Sequence, residues 1–247
     1  MNFQQNHHYS SFEQISQKNL EPILLVNGKN VREINLVGID WRQINLSGAN
    51  LEGLDLSHSQ LSEANFSNVC LRGSKLIAAN LYKINLLGSD LSHAILEGAD
   101  LREANLRGVS LRGAKLKEAE LNQAQLSRSN LSEVDLKGAN LASADLTRAT
   151  LQEVELLDAY LYQTVLQQAN LTSAHLHSAY LVRANLQQAD LQGADLRWAN
   201  LSHANLNSAN LANANLRGAN LSHADLRGVS WQATHLKGAI LTNVLQD

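Results

Sequence analysis

Residues 204–221 read ANLNSANLANANLRGANL, with leucine at every fifth position, alanine two places before each leucine and asparagine one place before it. In an α-helix, leucines at this spacing would step around the axis by roughly 140° and would not form one apolar stripe. In a straight β-strand, an odd spacing would send successive leucines to opposite faces. The chain itself must therefore turn once per five residues to bring these leucines to a common core.

The same spacing continues without insertion or deletion from Val31 to Leu241, through 43 pentads. We call the leucine position i, and it holds leucine everywhere except at Val31, Trp41, Phe66 and Trp231. Position i−2 is alanine in 26 of 43 pentads and otherwise Val, Ile, Leu, Ser or Thr, and neither position ever carries a charge. We therefore predict that each pentad sends one large and one small side chain inward.

The remaining positions of the pentad indicate where the backbone turns. All 14 glycines lie at i+2, which predicts a corner with positive φ or a tight turn there. Asn or Asp fills 25 of the 42 positions i−1 from Asn35 to Ile240, where the side chain can hydrogen-bond to turn backbone. The only proline, Pro22, precedes the run, as expected if backbone hydrogen bonds join successive coils. The pattern predicts a β-solenoid.

Runs such as ADLQGADLRWANLSHANL, residues 189–206, resemble the pentapeptide repeat family, whose pattern is A(D/N)LXX. The resemblance covers nearly nine tenths of the chain. It implies an all-β fold, a right-handed quadrilateral parallel β-helix with one pentapeptide per side and twenty residues per coil. On this basis we expect about eleven coils, a rod on the order of 50 Å long, and a single uninterrupted solenoid over residues 26–247.

The N-terminal end of such a rod needs a cap, and residues 1–25 are predicted to form a polar tail and a capping helix. The sequence SSFEQISQKNLE at residues 10–21 offers a capping box, an apolar side and a terminating Pro22. The predicted cap residues are Ser10, Phe12, Glu13, Ile15 and Leu20.

At the C-terminal end, only LTNVLQD follows Ile240, which is too short for a capping helix. Trp231 and several bulky neighbours depart from the repeat consensus there. Two interpretations stay open. The last coil caps itself and the protein is a monomer, or two rods meet through this coil as an end-to-end homodimer.

The composition of the chain indicates the cellular compartment in which it acts. The single cysteine, Cys70, excludes an internal disulfide and fits a reducing environment. The N-terminus is polar, without an apolar signal-peptide core, and no segment approaches eighteen consecutive apolar residues. We therefore expect a cytoplasmic protein without a membrane partner.

No constellation of residues points to catalysis. His203 and His223 are twenty residues apart, and His175 and His177 flank a leucine, but a metal site needs three or four converging ligands with a supporting shell. Cys70 takes the Asn/Asp position of its pentad, and no serine lies in a nucleophile elbow. Each glycine stands alone, so no phosphate loop is present. We predict no enzyme activity, no metal and no cofactor.

Charge bears on one function that the resemblance suggests. The family includes bacterial proteins that protect DNA gyrase and topoisomerase IV from quinolones, as acidic rods that mimic duplex DNA. Such a mimic needs dense negative charge along its wall. This chain has 23 acidic and 20 basic residues with the two signs interspersed, and no basic stripe for nucleic acid. DNA mimicry is therefore the alternative rather than the preferred function, and no nucleic-acid partner is expected.

An apolar cluster suggests the preferred function. At twenty residues per coil, three tyrosines fall on neighbouring coils near other large side chains, and exposed aromatics grouped on a polar wall can mark a binding patch. The alternative is that tyrosine and valine simply pair well across strands. The sequence thus favours a non-catalytic rigid rod that acts as a scaffold for an unknown protein partner. The candidate patch is Leu157, Tyr160, Tyr162, Tyr180, Val182 and Trp198.

Overall fold

The computed structural model describes three short strands near the N-terminus and all of residues 35–247. The strands are β1 (Phe12–Ile15), β2 (Ile23–Val26) and β3 (Lys29–Asn30). They form one antiparallel sheet in the order β1-β2-β3. In this sheet Phe12 pairs with Val26, and Leu25 pairs with Asn30.

The predicted N-terminal capping helix is wrong where the structure describes it. Phe12, Glu13 and Ile15 belong to β1, while Ser10 and Leu20 lie outside the described residues. Isolated helices shorter than about 12–15 residues are marginal in water. The run ILLV of Ile23–Val26 favours an extended backbone and gives β1 a partner strand, so this segment satisfies its backbone groups by pairing.

From residue 35 onward the chain forms a β-helix. Every bridge is parallel and joins a residue to the one twenty places later, from Asp40–Gln60 to Asp225–Leu245. Successive bridges are five residues apart, so each coil has four sides with one pentad on each. The predicted coil of twenty residues is confirmed. The predicted total of about eleven coils begins at Val31, and residues 31–34 lie outside the described residues.

Each corner of the coil is a β-turn. The amide of Ile39 donates to the carbonyl of Leu36 at 3.1 Å, and the same bond recurs pentad after pentad. The third residue of each turn has positive φ, as type II turns require. Thirteen glycines meet this requirement, but so do 29 other residues, among them Gln123 with a φ of 61°. The predicted corner at i+2 is confirmed, and it does not depend on glycine.

Backbone and side-chain hydrogen bonds join the coils. At each pentad the amide of residue i donates to the coil that follows, as Leu126 does to Asp145 at 2.7 Å. The Oδ1 atom at i−1 accepts the amide two residues later, as from Ser202 to Asn200 at 3.1 Å. This is the local bond to turn backbone that the Asn/Asp pattern predicts, and it holds the corner in place.

Leucine and alanine fill the interior. From Leu56 to Leu226 the residues at positions i and i−2 are at most 2% exposed. Polar residues in the small slot are satisfied inside: Ser74 Oγ donates to the carbonyl of Leu71 at 2.7 Å, and Thr164 Oγ1 to that of Leu141 at 2.8 Å. In the last coil the core is open, because the inward-facing Trp231 and Leu236 are only half-buried and Leu241 is 37% exposed.

Candidate functional site

The candidate patch lies on one of the four sides of the rod, which we call the tyrosine side. It is built from residues 139–143, 159–163, 179–183, 199–203, 219–223 and 239–243. On it, the rings of Tyr160 and Tyr180 are 4.9 Å apart between centroids and 6° from parallel. The ring of Tyr162 lies 6.3 Å from Tyr160 and 6.5 Å from Tyr180. Tyr162 thus lies beside the stacked pair of Tyr160 and Tyr180, and we call the three rings the tyrosine cluster.

The coil geometry dictates this stack. Tyr160 and Tyr180 form a parallel bridge on successive coils, so their side chains leave the wall one inter-strand spacing apart. Tyr162 follows Tyr160 by two residues and therefore projects from the same face. Arg183 Nη1 donates to the Tyr162 hydroxyl at 3.5 Å, a weak bond. Tyr160 remains 42% exposed, so the cluster presents aromatic surface to solvent.

The other predicted members of the patch are placed differently. Val182 and Leu157 are half-buried, with Val182 one coil after Tyr162. Trp198 is 66% exposed, and its ring lies against Gly218 on the following coil, where an added Cβ would come within 2.4 Å of it. The structure therefore brings Tyr160, Tyr162 and Tyr180 into one cluster, whereas the Trp198 ring packs over Gly218 on a neighbouring side.

Charge is segregated among the sides in a way that the sequence reasoning missed. Between residues 139 and 243 the tyrosine side carries no Asp or Glu. Its charged or titratable side chains besides tyrosine are Arg183, His203 and His223. Counting charges along the chain mixes the four sides and hides this, whereas reading every twentieth residue would have shown it. The cluster thus lies on a polar side without negative charge.

Elsewhere on the rod, many acidic side chains are locally neutralised. In an Asp-x-Arg sequence the arginine folds back onto the carboxylate, as Arg197 Nη2 does to Asp195 Oδ2 and Arg227 Nη2 to Asp225 Oδ2, each at 2.6 Å. These guanidinium hydrogen bonds lower the pKa values of Asp195 and Asp225. At least ten of the twenty acidic side chains in residues 35–247 form ion pairs of this or a similar kind, which reduces the negative charge that the rod presents.

The histidines and the cysteine form no reactive site within residues 35–247. The His203 and His223 rings, twenty residues apart and so on successive coils, stack at 4.7 Å and 3°. His175 Nδ1 lies 2.6 Å from Glu155 Oε1. In the described part of the chain, no three of His, Cys, Asp and Glu are grouped to hold a metal, and Cys70 is a free, half-buried thiol. Among the same residues, no helix has the length and apolarity that crossing a membrane requires.

Comparison with known families gives a match over most of the chain. The sequence profile described as Pentapeptide repeats matches in eight overlapping copies, at residues 30–68, 42–76, 70–108, 94–132, 129–168, 169–207, 194–230 and 204–243. Among solved structures, HetL of the cyanobacterium Nostoc sp. strain PCC 7120 is 38% identical, with a TM-score of 0.53. The match covers 84% of this chain and 91% of HetL, a pentapeptide repeat protein described as involved in heterocyst differentiation regulation.

Two further solved structures are similar over different spans. Rfr23, a pentapeptide repeat protein of the cyanobacterium Cyanothece 51142, is 46% identical over 42% of this chain and 64% of its own, with a TM-score of 0.32. Full-length QnrB1, a plasmid-mediated fluoroquinolone resistance protein, is 17% identical over 74% of this chain and 93% of its own, with a TM-score of 0.28. No curated protein matches.

Proposed function

This chain belongs to the pentapeptide repeat family, and on that premise we propose that it is a non-catalytic rigid rod that binds a protein partner through the tyrosine side. HetL is described as taking part in the regulation of differentiation. That description supports a regulatory binding role for this chain over a catalytic one. The partner in this proposal is a protein rather than a nucleic acid or a membrane.

The observation that carries the proposal is the stack of Tyr160 on Tyr180, at 4.9 Å and 6°. Aromatic side chains are enriched at the centres of protein interfaces. Here the backbones of Tyr160 and Tyr180 are fixed by the hydrogen bonds of the parallel ladder. The Tyr180 amide, for example, donates to the carbonyl of Ala159 at 2.9 Å. Because the wall is already ordered, docking a partner loses little conformational entropy.

The same proposal includes the form and location of the rod. It is right-handed, as crossovers between parallel strands almost always are, with about eleven coils. It acts in the cytoplasm as a monomer or as an end-to-end homodimer through the C-terminal coil. The incompletely covered inward side chains of Trp231, Leu236 and Leu241 support the dimer, because apolar side chains at the open end of a solenoid gain from being covered.

Replacing Tyr160 and Tyr180 together by serine tests the proposed surface. We expect the fold to persist, because both side chains lie outside the core, and we expect binding of the partner to be lost, because the stacked rings are removed. The measurement is quantitative affinity purification from native cells with wild-type and variant rods, followed by pairwise binding with each protein that the wild type retains. Circular dichroism checks the fold.

Asn85→Ser with Asn105→Ser is the matched control. This pair also lies on successive coils, and Asn105 Nδ2 donates to Asn85 Oδ1 at 2.9 Å, but it lies on a different side. The control should retain every partner that the wild type retains. If the tyrosine variant bound the same proteins with unchanged affinity, the tyrosine side would not be the interface.

DNA mimicry remains the competing function, and the internal ion pairs disfavour it. A mimic must present unpaired negative charge to a basic groove, whereas Asp195 and Asp225 are neutralised by arginine. In a gyrase supercoiling assay we therefore expect no inhibition at concentrations up to about 10 µM, in the range where weak complexes form. Inhibition at lower concentration would favour the mimic over the neutral scaffold.

A further inference from the structure

A group of arginines on a second side of the rod has no acidic partner. This side, which we call the arginine side, is built from residues 104–108, 124–128, 144–148, 164–168 and the equivalent pentads of other coils. Most arginines in the described part of the chain form ion pairs, as Arg102 does with Asp100 at 2.7 Å. Within residues 35–247, the arginines without an ion pair are Arg107, Arg128, Arg148, Arg183 and Arg217.

Two of these unpaired arginines lie together. Arg128 and Arg148 occupy equivalent corner positions on successive coils, with φ of 60° and 58°. They line a surface recess of about 330 Å³, together with Ser127, Asp145, Thr147, Gln167 and Gln168. Arg107 is twenty residues before Ser127 and so lies on the coil below. Two guanidinium groups thus line one recess, and Arg107 lies outside its lining.

The recess has little negative charge of its own. The arginine side carries no Asp or Glu in its pentads from residue 44 to residue 128. Asp145 is its one acid at the recess, and Asp145 Oδ1 already accepts the amide and the hydroxyl of Thr147 at 2.9 and 2.6 Å. Like charges directly opposite on neighbouring strands are destabilising, so Arg128 and Arg148 repel each other unless an anion lies between them.

We propose that this recess binds the phosphate group of a small phosphate compound. Forked guanidinium groups donate paired hydrogen bonds to phosphate oxygens. Arg128 and Arg148 are one coil apart, about 4.8 Å, a spacing that lets one phosphate contact both. The Ser127 hydroxyl and the second N–H of the Gln167 side-chain amide, whose first N–H donates to Gln187 Oε1 at 3.1 Å, add neutral donors.

A small compound fits better than a macromolecule. The recess lies within the lower end of the volume range of small-molecule sites. Arg148 Nε donates to Gln168 Oε1 at 2.7 Å, which holds that guanidinium against another residue of the recess. Of the other unpaired arginines, Arg183 and Arg217 lie on two different sides, so no continuous basic stripe follows a nucleic-acid backbone.

Isothermal titration calorimetry with inorganic phosphate, pyrophosphate and ATP tests the proposal, with ionic strength held constant by sodium chloride. We expect saturable binding of at least one of these compounds, at one site per chain, with a dissociation constant below about 1 mM. Comparing the dissociation constants of the three compounds tells whether the recess prefers an inorganic phosphate or a nucleotide as its ligand. No detectable binding of any of them by the folded wild-type protein would overturn the proposal.

Substitutions distinguish a specific binding site from non-specific electrostatic attraction. Arg128→Gln with Arg148→Gln should weaken binding at least about tenfold, and Arg128→Lys with Arg148→Lys should weaken it as well, because lysine keeps the charge but not the fork. Arg217→Gln with Lys237→Gln removes the same charge from another pair twenty residues apart, and it should change nothing.

Equal losses in the recess variant and in the Arg217 and Lys237 control would show non-specific attraction and would refute the site. Tighter binding of a phosphoserine peptide than of all three small compounds, by about tenfold or more, would assign the recess to a protein ligand and would also overturn the proposal. These outcomes are independent of the tyrosine side, so they do not bear on the protein-binding function.

Discussion

Replacing Leu126 by aspartate is expected to abolish stable folding of the central coils. Leu126 is 0% exposed and lies in an interior of leucine and alanine, so an introduced carboxylate would have no partner and no water there. The milder Leu126→Ala should lower the free energy of unfolding by about 2–5 kcal/mol, from lost burial and the cavity left behind. Urea unfolding followed by circular dichroism measures both.

The control for this prediction is Gln123→Ala. Gln123 is exposed at a corner of the same coil, so the loss should stay under about 0.5 kcal/mol. Similar mild losses for Leu126→Asp and Gln123→Ala would mean that the inward and outward positions of the pentad have been assigned wrongly.

A proline at Asn185 is expected to have the second-largest effect. The Asn185 amide donates to the carbonyl of Thr164 at 2.9 Å and so joins two coils. Proline removes this donor from a central strand. In β-sheets, proline occurs almost exclusively on edge strands or at bulges. We expect a loss of about 1–3 kcal/mol, because the Thr164 carbonyl is left without its donor, seen as a lower unfolding midpoint and as faster amide hydrogen exchange in the adjoining coils.

Asn185→Ala separates the backbone effect from the side-chain effect. Alanine keeps the amide donor but loses the Oδ1 atom that accepts the Gln187 amide at 3.2 Å. Because this bond is partly exposed, its loss should lower the free energy of unfolding by roughly 0.5–1.5 kcal/mol. If alanine and proline proved equally destabilising, the ladder bond at residue 185 would contribute nothing measurable.

The architecture could be predicted because its determinants are local and repeated. Each pentad specifies its own inward leucine, its small partner and its corner, so one rule applied from Leu36 to Leu241 gives the coil. Even the serine and threonine residues in the small slot obey it, since their hydroxyls reach nearby carbonyls such as that of Leu71. Repetition turns a weak local signal into a reliable one.

The parts that escaped prediction depend on relations that the repeat does not encode. The N-terminal segment has helix-like capping residues, but its structure is decided by the pairing of Phe12–Ile15 with Ile23–Val26. The position of the Trp198 ring depends on Gly218, one coil later. The acid-free tyrosine side and the unpaired arginines around the recess become visible only when the chain is wound into coils, because their members are twenty residues apart.

Because every coil has twenty residues, distances along the axis of the rod come in fixed steps. A block of twenty residues could be duplicated or removed in the middle of the rod without changing which side any later residue faces, because each coil contacts only its neighbours. Each duplication or removal shifts all later coils along the axis of the rod by one inter-strand spacing of about 4.8 Å. Gene duplication can therefore adjust the distance between two surface features in fixed increments, whereas an insertion of one residue rotates every later side chain out of phase.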